Sequence, residues 1–271
     1  MSILIIKLLY LTKNGIKDLV RYKNYLKWSA NKSKKINAEN FHVHVLVVKK
    51  IDYVKLSRTA ILSFLYFHPN SKITVHCDNV TYLLVKKIFK KHIDKKSICV
   101  LDDCDSSFTW QQSKLRLILQ MNGTRDCFMD ADLRWNAPIT KQICSVIFFV
   151  NEFKFQDRSP YRQLGYTIEE NFGLKNLHMY NTSFFSFGGA CISLFEIQKT
   201  LDFSRDLQLL CEAANLGKDD LKILERLSEQ VALSVCSLNW ANEIKFLKDQ
   251  DAIYDRSFVE SSYFGATGNT F

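Results

Sequence analysis

From Phe41 onward the chain alternates short apolar runs with amphipathic stretches, and that alternation limits what it can fold into more than any other feature. His42-Val43-His44-Val45-Leu46-Val47-Val48 reads as a buried strand, residues 53–67 as a helix stopping at His68-Pro69, and residues 72–77 as a second strand. A helix over 81–92 and a strand over 97–101 continue the series. Units of this spacing need right-handed crossovers, so they predict an α/β fold with a mainly parallel sheet flanked by helices. Further on, 109–120 reads as a helix, 145–150 and 178–187 as strands, and 159–171 as a loop or helix. Residues 203–216 and 219–235 read as helices, the latter opening on Asp219-Asp220, which the helix dipole favours. Short strands are expected at 244–247 and 252–254.

One apolar run ends in chemistry. Cys127-Phe128-Met129-Asp130-Ala131-Asp132-Leu133 closes on two carboxylates one residue apart. In an extended backbone residues i and i+2 share a face, so Asp130 and Asp132 are expected to point together. Paired carboxylates make half of a site for Mg²⁺ or Mn²⁺, which leave the remaining positions to water and substrate phosphates. The alternative is turn and cap chemistry, since Asp also hydrogen-bonds nearby backbone amides. His42 and His44 likewise share a strand face at metal-ligand spacing. No third ligand is evident beside them in the sequence, so they read as polar residues at a strand entry.

The Phe-Met-Asp-Ala-Asp-Leu context resembles the Asp-x-Asp motif of GT-A-type glycosyltransferases, the nucleotide-diphospho-sugar transferase fold, which is Rossmann-like. Trp110-Gln111-Gln112-Ser113-Lys114 before the motif is similar to that family, as are Asn181 to Gly189 and Ser228-Glu229-Gln230 after it; the likeness spans about residues 41–271. It implies Mn²⁺ or Mg²⁺ held by Asp132, with Asp130 assisting or touching the ribose. The donor implied is a nucleoside-diphosphate sugar, a UDP-sugar being favoured, and the acceptor a glycan or lipid-linked hydroxyl in surface glycan or glycolipid synthesis.

The same resemblance makes Lys114 a partner of phosphate or sugar oxygens and Glu229 the general base of an inverting reaction; the plain reading of each is a charged residue on a helix surface. Tyr53 is expected to meet the nucleobase. Gly188 and Gly189 either let a ligand approach the backbone or simply turn the chain after a strand. The family often takes a third metal ligand, commonly His, from near the C-terminus, and here none of the six His lies beyond His178. The small polar segment 260–269, with Gly265 and Gly268, is expected to cradle phosphate instead.

Charge divides the chain. Residues 1–40 hold nine Lys or Arg against Asp18 and Glu39, a net +7 of the total +9. That distribution argues against a core that tracks nucleic acid. It suggests a basic, helical N-terminal extension lying on an anionic membrane surface through residues 1–35, or an amphipathic helix packed on its own domain. Residues 41–271 then form a single domain. The opening apolar run, broken by Lys7, is too short to span a bilayer and lacks signal-peptide features. Eight cysteines without Cys-x-x-Cys spacing, mostly in apolar runs, suggest buried thiols in a reducing compartment, so the protein is expected in the cytoplasm, peripheral at the inner face of a membrane. Two rival functions stand beside glycosyl transfer. A sugar-nucleotide nucleotidyltransferase would carry a Gly-rich loop after the first strand, where Val48-Lys49-Lys50-Ile51-Asp52-Tyr53 has no Gly. A non-catalytic glycan- or membrane-binding protein of the same fold would show no metal-linked nucleotide binding.

Overall fold

The computed structural model describes residues 40–135, 138–139, 142–159, 161–213, 216–240, 244–247 and 259–261. The basic extension, the strand expected at 252–254 and most of the segment 260–269 expected to cradle phosphate lie outside these residues. The described chain runs β1 (His42–Val47), α1 (Ile51–Phe67), β2 (Lys72–Cys77), α2 (Tyr82–Asp94), β3 (Ile98–Asp102), α3 (Trp110–Gln120), β4 (Cys127–Met129) and β5 (Leu133–Trp135). It continues through β6 (Val146–Lys154), α4 (Tyr161–Phe172), β7 (His178–Ser186), α5 (Leu194–Ala213), α6 (Lys218–Arg226), α7 (Ser228–Cys236), β8 (Ile244–Phe246) and β9 (Val259–Ser261).

Seven strands form one sheet in the order β3-β2-β1-β4-β7-β6-β8, and β5 pairs with β9 in a separate ribbon. β7 alone runs against its neighbours β4 and β6, so the sheet is mainly parallel, as the alternation predicts. Strand periodicity divides the core. Val43, Val45, Val47, Ile73 and Val75 pack with Ile61, Phe64 and Phe89 on one face, while Phe128, Phe148 and Phe185 meet Leu115, Ile118, Val231 and Leu233 on the other. Each such buried side chain contributes about 1.5–3 kcal/mol.

Three expectations change. Residues 219–235 form two helices rather than one, broken at Leu227. α7 is buried from Glu229 to Cys236, whereas Lys218, Glu225 and Arg226 of α6 are exposed, and one straight helix could not serve both environments. α5 begins nine residues before the expected Phe203. Among the described cysteines, Cys77, Cys127 and Cys236 are buried, but Cys99, Cys144 and Cys191 are exposed.

Strand order also locates a crevice. The chain leaves β1 toward β2 and β3 on one side and returns with β4 on the other, so the carboxyl ends of β1 and β4 flank a topological switch point where ligands bind in open α/β sheets. The turn leaving β1 is tight. Lys49 takes φ +67, Lys50 N donates to Val48 O at 2.8 Å, and Lys49 N donates to Asp78 Oδ2 at 2.8 Å. Asp78, buried after β2, also accepts from the backbone and hydroxyl of Thr81 at 3.1 and 3.0 Å. Replacing Asp78 by Ala strands the Lys49 N–H, whereas Thr81 N keeps the carbonyl of residue 78 at 3.1 Å. The expected loss is about 2 kcal/mol in chemical denaturation, and a loss below about 0.5 kcal/mol would show that the turn holds itself.

Candidate active site

β4 stops at Met129, and Asp130 donates its backbone N–H to Ser183 O of β7 at 2.8 Å. The chain then turns, Leu133 N donating back to Asp130 O at 3.2 Å. Asp130 and Asp132 therefore sit in a turn, not in the extended backbone that would put i and i+2 on one face. Proximity survives the change of geometry, because Asp130 is the second cause, after burial, that pushes the Asp132 carboxyl up to about 6. What fixes the turn is the return of the chain into the core: Leu133 and Trp135 are fully buried, Trp135 N donates to Ser63 Oγ at 3.0 Å, and its indole Nε1 donates to Met129 Sδ at 2.8 Å.

Lys114 is not a surface lysine. Thr109 and Gln112 form a capping box that starts α3, with Gln112 N donating to Thr109 Oγ1 at 3.2 Å and Thr109 N to Gln112 Oε1 at 2.9 Å. The next turn carries Lys114 inward, where it is 2% exposed, with its ammonium 5.5 Å from the Trp110 ring centre and 5.2 Å from that of Phe128. Its Nζ lies 2.9 and 3.1 Å from the two oxygens of Asp130 and 3.5 Å from Glu229 Oε1. Burial works against the ammonium, but Asp130 and then Glu229 outweigh it and raise its pKa.

Glu229, in the first turn of α7, is 1% exposed, and its Oε2 has no hydrogen-bond partner among the described residues. Burial raises its pKa, with Lys114 opposing. The two partners thus shift in ways that look contradictory, the lysine stabilised as a cation and the glutamate destabilised as an anion. The distances resolve this: Lys114 is bound to both oxygens of Asp130 and lies farther from Glu229, which is left undercompensated.

Tyr53, in the first turn of α1, comes to the same place from the β1 side. Its phenol pKa is raised by burial, then by Asp132 and Asp130, so it lies within electrostatic reach of the carboxylates. Asn181, Glu152 and Gln230 lie alongside: Asn181 Nδ2 donates to Glu152 Oε1 at 2.6 Å, and Gln230 Nε2 to Glu152 Oε2 at 3.3 Å. Glu152 escapes a reading of the sequence, since nothing in Phe149-Val150-Asn151-Glu152 marks it; only β6 running parallel to β4 carries it to this end.

Gly188 and Gly189 are not brought here. β7 runs antiparallel to β4 with Ser186 opposite Cys127, so residues beyond Ser186 lie at the far end of β4 from Asp130. Their conformation answers to the protein itself. Both have positive φ, +61 and +88, and a Cβ on Gly188 would fall 2.3 Å from the Ser145 backbone.

The donor set fits a divalent cation. Asp130, Asp132 and Glu229 surround one ammonium, an excess of two negative charges when all are ionised, and every donor is a hard oxygen.

No protein-family model matches the chain, and no curated protein matches it. Among solved structures it is similar to PaToxG glycosyltransferase at 13% identity, over 83% of this chain and 82% of that one, with a TM-score of 0.38. The glycosyltransferase GlyE of Streptococcus pneumoniae TIGR4 is similar at 12% identity over 78% of this chain, which spans 46% of GlyE, with a TM-score of 0.43. The mannosyltransferase PcManGT of Pyrobaculum calidifontis, solved with GDP-Man and Mn²⁺, is similar at 11% identity over 87% of each chain, with a TM-score of 0.33. Each of these three structures is described as a glycosyltransferase or mannosyltransferase, and the likeness to each stands at a TM-score below 0.5.

Proposed function

We propose that the protein is a metal-dependent glycosyltransferase that moves a sugar from a nucleoside-diphosphate donor, a UDP-sugar by preference, to the hydroxyl of a glycan or lipid-linked acceptor. The observation that carries this reading is the buried Lys114 bound to Asp130 and Glu229 with Asp132 alongside, at the switch point between β1 and β4. Asp130 is committed to Lys114 through both oxygens, so Asp132 is the principal ligand for Mn²⁺ or Mg²⁺ and Asp130 assists. A bound ion supplies Lewis-acid stabilisation of the charge that develops on the departing diphosphate.

The chain's own residues do the rest. Lys114 holds Asp130 in one orientation. Tyr53 lies where a nucleotide would cross the carboxyl end of β1, and Asn181 and Gln230 offer hydrogen bonds to sugar hydroxyls. Oε2 of Glu229, which has no partner among the described residues, accepts the acceptor's hydroxyl and takes its proton as the glycosidic bond forms, and a carboxyl raised by burial is better matched to that task. The nucleotidyltransferase reading is the weaker one, since the turn after β1 is tied to Asp78 and does not open as a phosphate-binding loop.

The test is a screen of UDP-, GDP- and CDP-sugars for Mn²⁺-dependent hydrolysis, with thermal shift read in parallel. A protein that hydrolyses none and shows no metal-linked shift is a binding module. Glu229→Gln separates two roles of that residue: it keeps an acceptor toward Lys114 but cannot take a proton. A roughly hundredfold or larger fall in kcat with donor KM unchanged supports the base. Wild-type turnover would leave Glu229 only the positioning of Lys114.

A further inference from the structure

A second cluster stands at the opposite end of β4. Asp126 precedes Cys127 and Asp130 follows Met129, so about 13 Å of strand separates the two carboxylates. β1 and β4 pair in parallel with Val43 opposite Cys127, which sets His42 and His44 beside Asp126. The ligand-capable atoms of these three side chains all lie within 4.8 Å of one another. Asp126 Oδ2 is 3.1 Å from His42 Nδ1 and 3.1 Å from His44 Nε2.

We propose that His42, His44 and Asp126 form a transition-metal site of the zinc class, distinct from the site at Asp130 and Asp132. Two imidazoles and a carboxylate are donors suited to Zn²⁺, in contrast to the all-oxygen set across the sheet. Tetrahedral Zn²⁺ with bonds of about 2.0–2.1 Å sets its ligand atoms about 3.4 Å apart, close to the separations present here.

The surroundings of the two histidines are arranged as ligand histidines require. Each must offer a lone pair to the ion and give its other N–H to an acceptor, which fixes tautomer and ring orientation. His42 Nε2 lies 2.9 Å from Thr74 Oγ1. His44 Nδ1 lies 2.8 Å from His76 Nε2, and His76 Nδ1 lies 2.7 Å from Asp103 Oδ2. One set of tautomers satisfies the whole chain: Asp103 accepts from His76, His76 accepts from His44, and Thr74 accepts from His42. Nδ1 of His42 and Nε2 of His44 are then left as lone pairs beside Asp126. His42 and Asp126 are 39% and 30% exposed, so the remaining position opens to water. The ion would tie β1 to the start of β4.

The test uses the full chain carrying Asp132→Asn, which removes the principal ligand of the other site, stripped by chelator and titrated with Zn²⁺ and with Co²⁺. A single equivalent of Zn²⁺, a Co²⁺ visible spectrum with imidazole coordination, and a rise in unfolding temperature of about 5 °C are expected. His42→Ala and Asp126→Asn should each weaken binding at least about a hundredfold, and Thr74→Val about tenfold. His42 is partly exposed, so its truncation leaves the fold intact by circular dichroism even if Asp126→Asn does not. Failure of the parent to bind at micromolar Zn²⁺, or binding unchanged by His42→Ala, overturns the site.

Discussion

Asp132→Asn is expected to make the metal-free protein more stable while abolishing its activity. Burial, and then the neighbouring Asp130, lift the Asp132 carboxyl from the ordinary 3.8 to about 6. The folded state therefore holds that proton more tightly than the unfolded chain does, and ionised Asp132 is a cost to the fold. The sign follows from linkage. The cost is absent below the unfolded value near pH 4, grows as pH rises toward 6, and is complete above it. The full shift corresponds to about 3 kcal/mol, and its remaining solvent contact lowers this to about 2 kcal/mol. In chelator at pH 7 the Asn variant should unfold at higher denaturant than the wild type, and the difference should vanish by pH 4. Its Mn²⁺-dependent donor hydrolysis should fall about a thousandfold, the loss of roughly 4 kcal/mol of charge stabilisation. A carboxylate that merely capped a turn would show the opposite pattern, with activity kept and stability unchanged or reduced, and that result would remove the metal assignment.

What could be read from the sequence follows the range of the interactions involved. Strand and helix periodicities are local, and β1, β2, β3 and α3 lie within a residue of their expected bounds. The Asp-x-Asp pair is local too. Its expected geometry was not, because the turn at Asp130 is imposed by Trp135 reaching Ser63, 72 residues away. The break at Leu227 is set by which half of residues 218–236 the sheet covers, and hydrophobic spacing alone does not show that. Gly188 accommodates a chain neighbour, since β7 runs against β4 and β6 and delivers its end to Ser145. The third member of the histidine cluster was hidden for the same reason: Asp126 is 82 residues from His44, and only the β1–β4 pairing joins them.

Lys114 is where fold and chemistry depend on the same atom, so its removal should be the most damaging single change. Lys114→Met keeps the length of the side chain and its packing against Trp110 and Phe128, but it leaves Asp130 and Glu229 facing each other without a cation. Breaking one side of a buried ion pair costs about 3–5 kcal/mol, mostly from the uncompensated charge that remains. If that is the origin of the loss, neutralising Glu229 must relieve it. The double variant Lys114→Met, Glu229→Gln should recover about 1–3 kcal/mol of what Lys114→Met loses, a coupling of opposite sign to simple additivity. Alkaline titration gives an independent reading. The lysine's pKa is raised above its ordinary 10.5, so its contribution is fully present below that value and is lost as pH rises through the folded one. Wild-type stability should therefore decline above about pH 10.5, and the Met variant should lack that part of the decline. Additive losses in the double variant would mean that Lys114 stabilises by packing alone, and the charge cluster would then no longer account for the orientation of Asp130.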